Sequence, residues 1–247
     1  MPAASTIVTG MVLSAMPVGD YDKRLVLLTR ELGKISAFAK GARRPNSALL
    51  ACSQPFSFGE FTLYIGRNSY TVTSADISNY FQELREDIDS VYYGMYFCEF
   101  AEYITKENND EKEILKLLYQ TLRAVAKRTI ELPLVRVIFE FKIMALSGVA
   151  PQVFECVKCG KDNQQYRFSS SSGGLLCEDC KIHDTRAIRL STSSIYTLQY
   201  IISKDIENLY TFRVSKEVLN ELITSIRRYM DHYIDHVFKS SELLRIL

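Results

Sequence analysis

The sequence predicts an α+β, multi-domain chain in which a small five-stranded barrel is followed by an α-helical domain carrying an inserted four-cysteine module. Three observations predict it. Residues 7–73 alternate apolar and polar positions in short runs broken by turn residues. After Tyr80 the apolar spacing lengthens to that of helices. Between two helical stretches stand Cys156, Cys159, Cys177 and Cys180, arranged as two C-x-x-C pairs. The expected domains are 1–80 for the barrel, 81–150 with 185–247 for the helices, and 151–184 for the cysteine module.

The strand runs are IVTGMVLSAM, RLVLLTRE, KISAFAKG, FSFGEFTLYI and SYTVT, with a break at Gly33 and a hairpin at Gly66-Arg67-Asn68. No helical pattern in this region is long enough to cover a flat sheet, so closure into a barrel is the way to remove the sheet edges. The OB-fold is the candidate. On the third run a period of two puts Ile35, Ala37 and Ala39 on one face and Lys34, Phe38 and Lys40 on the other. Ammonium groups beside a ring suit single-stranded nucleic acid, which needs cations for its phosphates and a surface on which a base can stack. Arg43 and Arg44 follow in a loop between Gly41 and Pro45, and Arg24 and Arg30 on the preceding strand extend the groove. The alternative, solvated lysines and a partly buried Phe38, stays open on these residues alone.

The helical stretches follow. Ile88, Val91, Met95 and Cys98 predict one apolar face, with Cys98 as plain core. Ile114, Leu117, Leu118 and Val125 predict a second, after a cap at Asn108-Asn109-Asp110. Pro133 suits a first helical turn leading into Leu134, Val137, Ile138 and Phe141, and Gly148 and Pro151 end that helix. Ser193 or Ser194 is expected to cap a short helix through Ile195, Leu198 and Ile202, and Ser215 a long one through Leu219, Leu222, Ile226, Met230 and Tyr233. The helices are expected to form one bundle interrupted by the cysteines.

The two C-x-x-C pairs are separated by residues Gly160 to Leu176. Each offers two thiolates from one tight turn, and the loop returns the second pair to complete a tetrahedron. Four thiolates leave no open position for water, so the expected ion is one structural zinc. Two unrelated thiol pairs or a redox C-x-x-C is the competing reading, but redox motifs of this kind come singly and in another context. His183 is read as a flanking surface residue.

Composition limits the partners. The 247 residues carry a formal net charge of +1, which excludes a polyelectrolyte and requires any nucleic-acid site to be a local patch. Counting to Tyr80 gives eight Lys/Arg against five Asp/Glu, net +3, whereas Phe81 to Ala150 gives nine against twelve, net −3. The first third is the basic one. The opening residues lack the pattern of an export signal and no apolar run suits a membrane span, so a cytoplasmic chain with reduced thiols or metal ligands is expected.

Enzyme signatures are not found. There is no P-loop, so no nucleotide is expected, and no dinucleotide fingerprint or nucleophile motif. Asp20 and Asp22 form only a D-x-D in a turn, and His232 and His236 lie four apart around Tyr233, where a zinc hydrolase would need a glutamate.

Taken together, several stretches resemble the bacterial recombination mediator family RecO over nearly the whole chain. They are Gly10-Met11-Val12-Leu13, Thr29 to Ile35, Ala39-Lys40-Gly41-Ala42-Arg43-Arg44-Pro45, and Phe139-Glu140-Phe141-Lys142 with Gly148 and Pro151 leading into Cys156 and Cys159. The resemblance implies an OB-fold, a helical domain and, in the cysteine-bearing branch, zinc. It implies binding to single- and double-stranded DNA and annealing of strands coated by the single-stranded DNA-binding protein SSB. It also implies cooperation with RecR and, indirectly, loading of RecA at gaps. In such proteins the SSB tail docks in the helical domain, where Arg136 and Lys142 near Phe139 and Phe141 are the candidates. A nucleic-acid-modifying enzyme such as a nuclease, and a protein-only interaction scaffold, are the alternatives.

Overall fold

The structure is a computed structural model that describes residues 5–67, 69–161 and 165–244; Asn68 of the expected hairpin turn lies outside them. The chain divides into two compact units, Met1–Ala126 with Phe238–Leu247, and Lys127–Val237.

The first unit is built on a closed barrel of β1 (Ser5–Val18), β2 (Asp22–Thr29), β3 (Gly33–Ala39), β4 (Phe58–Ile65) and β5 (Tyr70–Asn79), joined in the order β1-β2-β3-β5-β4. One short helix, α1 (Leu49–Cys52), interrupts the strands. Strand β1 pairs with β4 through Ser5–Met11 and with β2 through Gly10–Val18, and its register on β2 shifts between Val12 and Ser14, an irregularity that bends a strand around a small barrel. Alternation does what the sequence predicts. Val8, Val12, Leu25, Leu27, Ile35 and Phe61 point inward and are buried, and each such side chain contributes about 1.5–3 kcal/mol. Gly33 starts β3 with φ +65°, where a Cβ would lie 2.7 Å from the carbonyls of Lys106 and Asn109. Only glycine fits there.

Two helices complete this unit, α2 (Ile88–Ile104) and α3 (Lys112–Lys127). Helix α3 buries Ile114, Leu117, Leu118 and Val125 as expected, and Asp110 accepts from the Lys112 N–H at its start. Helix α2 differs from expectation: Ile88 and Met95 are exposed, and the buried face carries Gly94, Phe97, Cys98 and Ala101. Tyr96 and Phe100 are buried as well, so the helix is apolar on more than one side and its bulkiest residues win the core.

The second unit contains α4 (Leu132–Leu146), then a small three-stranded sheet of β6 (Tyr166–Ser169), β7 (Gly174–Cys177) and β8 (Ile188–Arg189). Helices α5 (Thr192–Ser203) and α6 (Lys216–Tyr233) follow, each packing on α4 and on the other. Pro133 occupies the first turn of α4, where its missing N–H costs nothing. Ser215 caps α6 as expected. The cap of α5 is Ser191 rather than Ser193 or Ser194; its hydroxyl accepts from the Ser194 N–H, and the Glu221 carboxylate holds it in place. The remaining helix, α7 (Lys239–Leu243), returns to the first unit, where the Glu99 carboxylate accepts from the Lys239 and Ser240 N–H groups.

Candidate metal centre and nucleic-acid interface

Four sulfur atoms converge. The Sγ atoms of Cys156, Cys159, Cys177 and Cys180 all lie within 4.8 Å of one another, with Cys159 and Cys177 3.7 Å apart. A zinc–sulfur bond of about 2.3 Å gives tetrahedral sulfur–sulfur edges of about 3.8 Å, so the Cys159–Cys177 edge already matches such an ion and the remaining sulfurs lie within about 1 Å of it. The first knuckle is a tight turn closed by the Gly160 N–H on the Cys156 carbonyl, and Gly160 takes φ +67° to make it. The second is positioned by the sheet. Cys177 ends β7 opposite Tyr166, and a short 3₁₀ turn carries Cys180 back toward the first pair. The Val157 N–H donates to the Leu175 carbonyl and ties the knuckles together.

The electrostatics of the cluster call for a cation. Burial raises the Cys156 thiol, but N–H groups of Cys177, Cys159 and Lys158 outweigh it and bring the group down to about 6. Burial and the three neighbouring sulfurs push Cys180 up to about 12. One sulfur is thus readily anionic while another resists ionisation beside it, and a divalent ion is what permits four thiolates together. His183 is exposed, outside the cluster, as expected.

On the barrel, β3 presents the expected face. Ile35, Ala37 and Ala39 are buried, while Lys34 and Phe38 are half-buried and Lys40 is exposed. Phe38 stands opposite Arg24 on β2, and Arg24 in turn opposite Met16 on β1. Lys34 turns aside: its ammonium donates to the Glu102 carbonyl near the end of α2 at 2.5 Å. The Arg43 and Arg44 loop is anchored on the β1–β2 turn. Arg43 donates from its backbone to the Tyr21 carbonyl and from its guanidinium to the Gly19 carbonyl, and the Arg44 guanidinium lies over the Tyr21 ring at 5.2 Å. Asp22 accepts from the Gly41 N–H at 2.7 Å and fixes where the loop begins. Tyr21 and Asp22 are therefore supporting residues that the D-x-D pattern hid; a turn aspartate preceding a basic strand was the available signal.

In the second unit both tail candidates are engaged. Arg136 pairs with Glu140 at 2.7 Å across one turn of α4, and the Glu140 side chain is only 3% exposed. Lys142 is buried and donates to the carbonyls of Ile202 and Lys204, capping the end of α5. Phe139 and Phe141 are fully buried. A cavity of about 380 Å³ at the start of α4 is lined by Arg128, Ile130, Leu132, Leu134, Arg213 and Leu219.

Residues 4–81 match the family described as recombination protein O N terminal, and residues 85–242 the one described as recombination protein O C terminal. The chain belongs to the RecO family. Relatives named DNA repair protein RecO agree over nearly full length. That of Alkaliphilus metalliredigens is 37% identical, covering 96% of this chain and 97% of its own, and that of Acetivibrio thermocellus is 33% identical, covering 97% and 96%. RecO proteins form a mediator family, not an enzymatic one, and the closed barrel is the RecO N-terminal OB-fold.

Proposed function

We propose that this chain is a recombination mediator in DNA repair. It binds single- and double-stranded DNA on the outer barrel face, anneals complementary strands coated by SSB, and with RecR assists loading of RecA at gaps, in the cytoplasm and without a nucleotide. The observation that carries this reading is the basic and aromatic surface made by Arg24 opposite Phe38, extended by Lys40, Arg43 and Arg44. Lys34, bonded to Glu102, would act there as a wall of the groove more than as a phosphate contact. Among the described residues no helix is long and apolar enough to cross a membrane.

The ion proposed for the four cysteines is zinc, held to build the fold of the module around it. The functional division into 1–80, 81–150 with 185–247, and 151–184 belongs to the same reading. The SSB tail ends in acidic and apolar residues, so its dock needs a cation beside a greasy groove. Arg136 and Lys142 are the proposed cations, Lys142 from its buried place at the end of α5, and the cavity at the start of α4 supplies apolar walls in Ile130, Leu132, Leu134 and Leu219.

The test is annealing of complementary strands precoated with SSB, with and without this protein. Acceleration that disappears in a Lys40→Ala, Arg43→Ala, Arg44→Ala triple variant supports the reading. No acceleration by the wild type, from protein that is folded and metal-loaded, overturns it. Strand cleavage on adding magnesium would instead point to a nuclease.

A further inference from the structure

The serine-rich turn between β6 and β7 borders a second cavity, about 510 Å³, that lies wholly within the unit Lys127–Val237. One wall is the turn, with Ser170 and Ser171; the others carry Arg186, just before β8, and Arg228, Asp231 and His232 on α6. Arg228 Nη1 donates to the Arg186 carbonyl at 3.0 Å, which seats one guanidinium against the backbone of the other arginine. Among the described residues neither guanidinium makes an ion pair. Two guanidiniums that line one cleft without ion pairs are paired donors for the oxygens of an anion.

Two carboxylates, Asp184 and Asp231, share the lining. Asp184 spends one oxygen on the hydroxyls of Ser169 and Ser171, at 2.7 and 3.0 Å, and the other on the Arg186 N–H at 2.9 Å. Its role is to brace the turn, in which the Ser172 N–H also donates to Ser169 Oγ. Asp231 makes no ion pair among the described residues, and it and Asp184, whose carboxyl is held below its ordinary range, together balance the charge of the two arginines. With the charges balanced, recognition rests on donor geometry, which favours a ligand with several acceptor oxygens that can meet both guanidiniums at once. A phosphate monoester has three terminal oxygens and close to two charges, and paired guanidiniums match it.

We propose that this cleft binds a phosphate monoester between Arg186 and Arg228, with the Ser170 hydroxyl as a further donor. The source is the phosphorylated end of a DNA strand or the free ion. The first source rests on the DNA-binding reading above; the second does not. The experiment uses the full chain with one oligonucleotide carrying a 5′-phosphate, a 3′-phosphate or neither, at fixed ionic strength. In parallel, inorganic phosphate is titrated while the His232 ring is followed by NMR, which is practical with three histidines in the chain.

The phosphorylated end is expected to bind about tenfold tighter than the hydroxyl end, the scale of one charge-assisted bidentate contact. Arg186→Ala and Arg228→Ala should each abolish that gain while leaving the unphosphorylated affinity and the melting temperature unchanged. Arg228→Lys should keep part of it, and Asp231→Asn should enlarge it. A response of His232 to inorganic phosphate without any gain from strand ends assigns the cleft to the free ion. The same response with no oligonucleotide bound at all retires the DNA reading and leaves the cleft standing. The proposal falls if His232 ignores phosphate and ends confer no gain, or if the gain survives both arginine variants.

Discussion

Arg24 and Phe38 are direct partners across the β2–β3 ladder, so their side chains leave the same outer face of the barrel. The pair separates two kinds of DNA contact. Phe38→Ala should cost about 1–3 kcal/mol of single-strand affinity for each base it stacks, with the salt dependence unchanged. Arg24→Ala should instead lower the slope of log K against log salt by about 0.7, because one fewer counterion is released. Phe38→Tyr should keep most of the affinity. Lys34→Ala should register mainly in melting, since its ammonium is held on the Glu102 carbonyl. Salt titrations of the four variants check this, and wild-type affinity and slope in both Arg24→Ala and Phe38→Ala would remove the barrel face from the DNA site.

Zinc analysis should return about one ion per chain, and replacing Cys156 or Cys177 by Ser should loosen Lys127–Val237 while the barrel stays folded. Cys156 and Cys177 are both buried, so each loss leaves a polar hydroxyl where a ligand stood. Limited proteolysis reads the outcome directly. Early cuts should fall within 127–237, and simultaneous loss of the barrel would show that the units do not fold independently.

Glu221 gives a pH dependence of known sign. Burial alone would raise its carboxyl, but hydrogen bonds from Ser194 and from the backbone and hydroxyl of Ser191 outweigh that and hold it below its ordinary range. A depressed folded-state value contributes stability that is complete above the unfolded value, about 4.3, and is lost as pH falls through the folded one. Glu221→Gln should therefore melt lower than wild type at pH 7, with the gap closing toward pH 3. A gap that stays constant over that range would assign the effect to shape and not to charge.

The barrel was legible because a period of two is plain where buried apolar residues alternate with outward ones, as Ile35, Ala37 and Ala39 do with Lys34, Ser36 and Phe38 in β3. Helix α2 was not, because Tyr92 to Phe100 offers apolar residues at most positions and no single 3.6-residue stripe stands out. The four metal ligands could be read from spacing alone, since C-x-x-C fixes its own local geometry. Ser191 was missed because Ser191, Thr192, Ser193 and Ser194 are all plausible caps, and what selects among them is Glu221, thirty residues away. Lys142 is the same case on a longer scale. Nothing near it in sequence indicates that its ammonium closes the end of α5, 60 residues on.

That buried bond and the Arg136–Glu140 pair decide how the tail-docking site can be tested. Lys142→Met should lose about 1.5–3 kcal/mol of stability, the range for hydrogen bonds made by a charged group. A fall in tail binding by that variant would say nothing about direct contact. Arg136→Glu has a related defect, since it sets a second carboxylate beside the nearly buried Glu140. The informative variant is the double substitution Arg136→Gln, Glu140→Gln, which removes both charges and keeps the side-chain lengths. It should melt closer to wild type than Arg136→Gln alone, because no carboxylate is left without its partner arginine. Titrated with a peptide of the SSB tail, it should bind about fivefold weaker or worse if Arg136 holds the tail's carboxylates, as expected for one lost charge-assisted contact. Unchanged binding by the folded double variant, together with a loss in Arg213→Ala, would move the dock to the cavity at the start of α4.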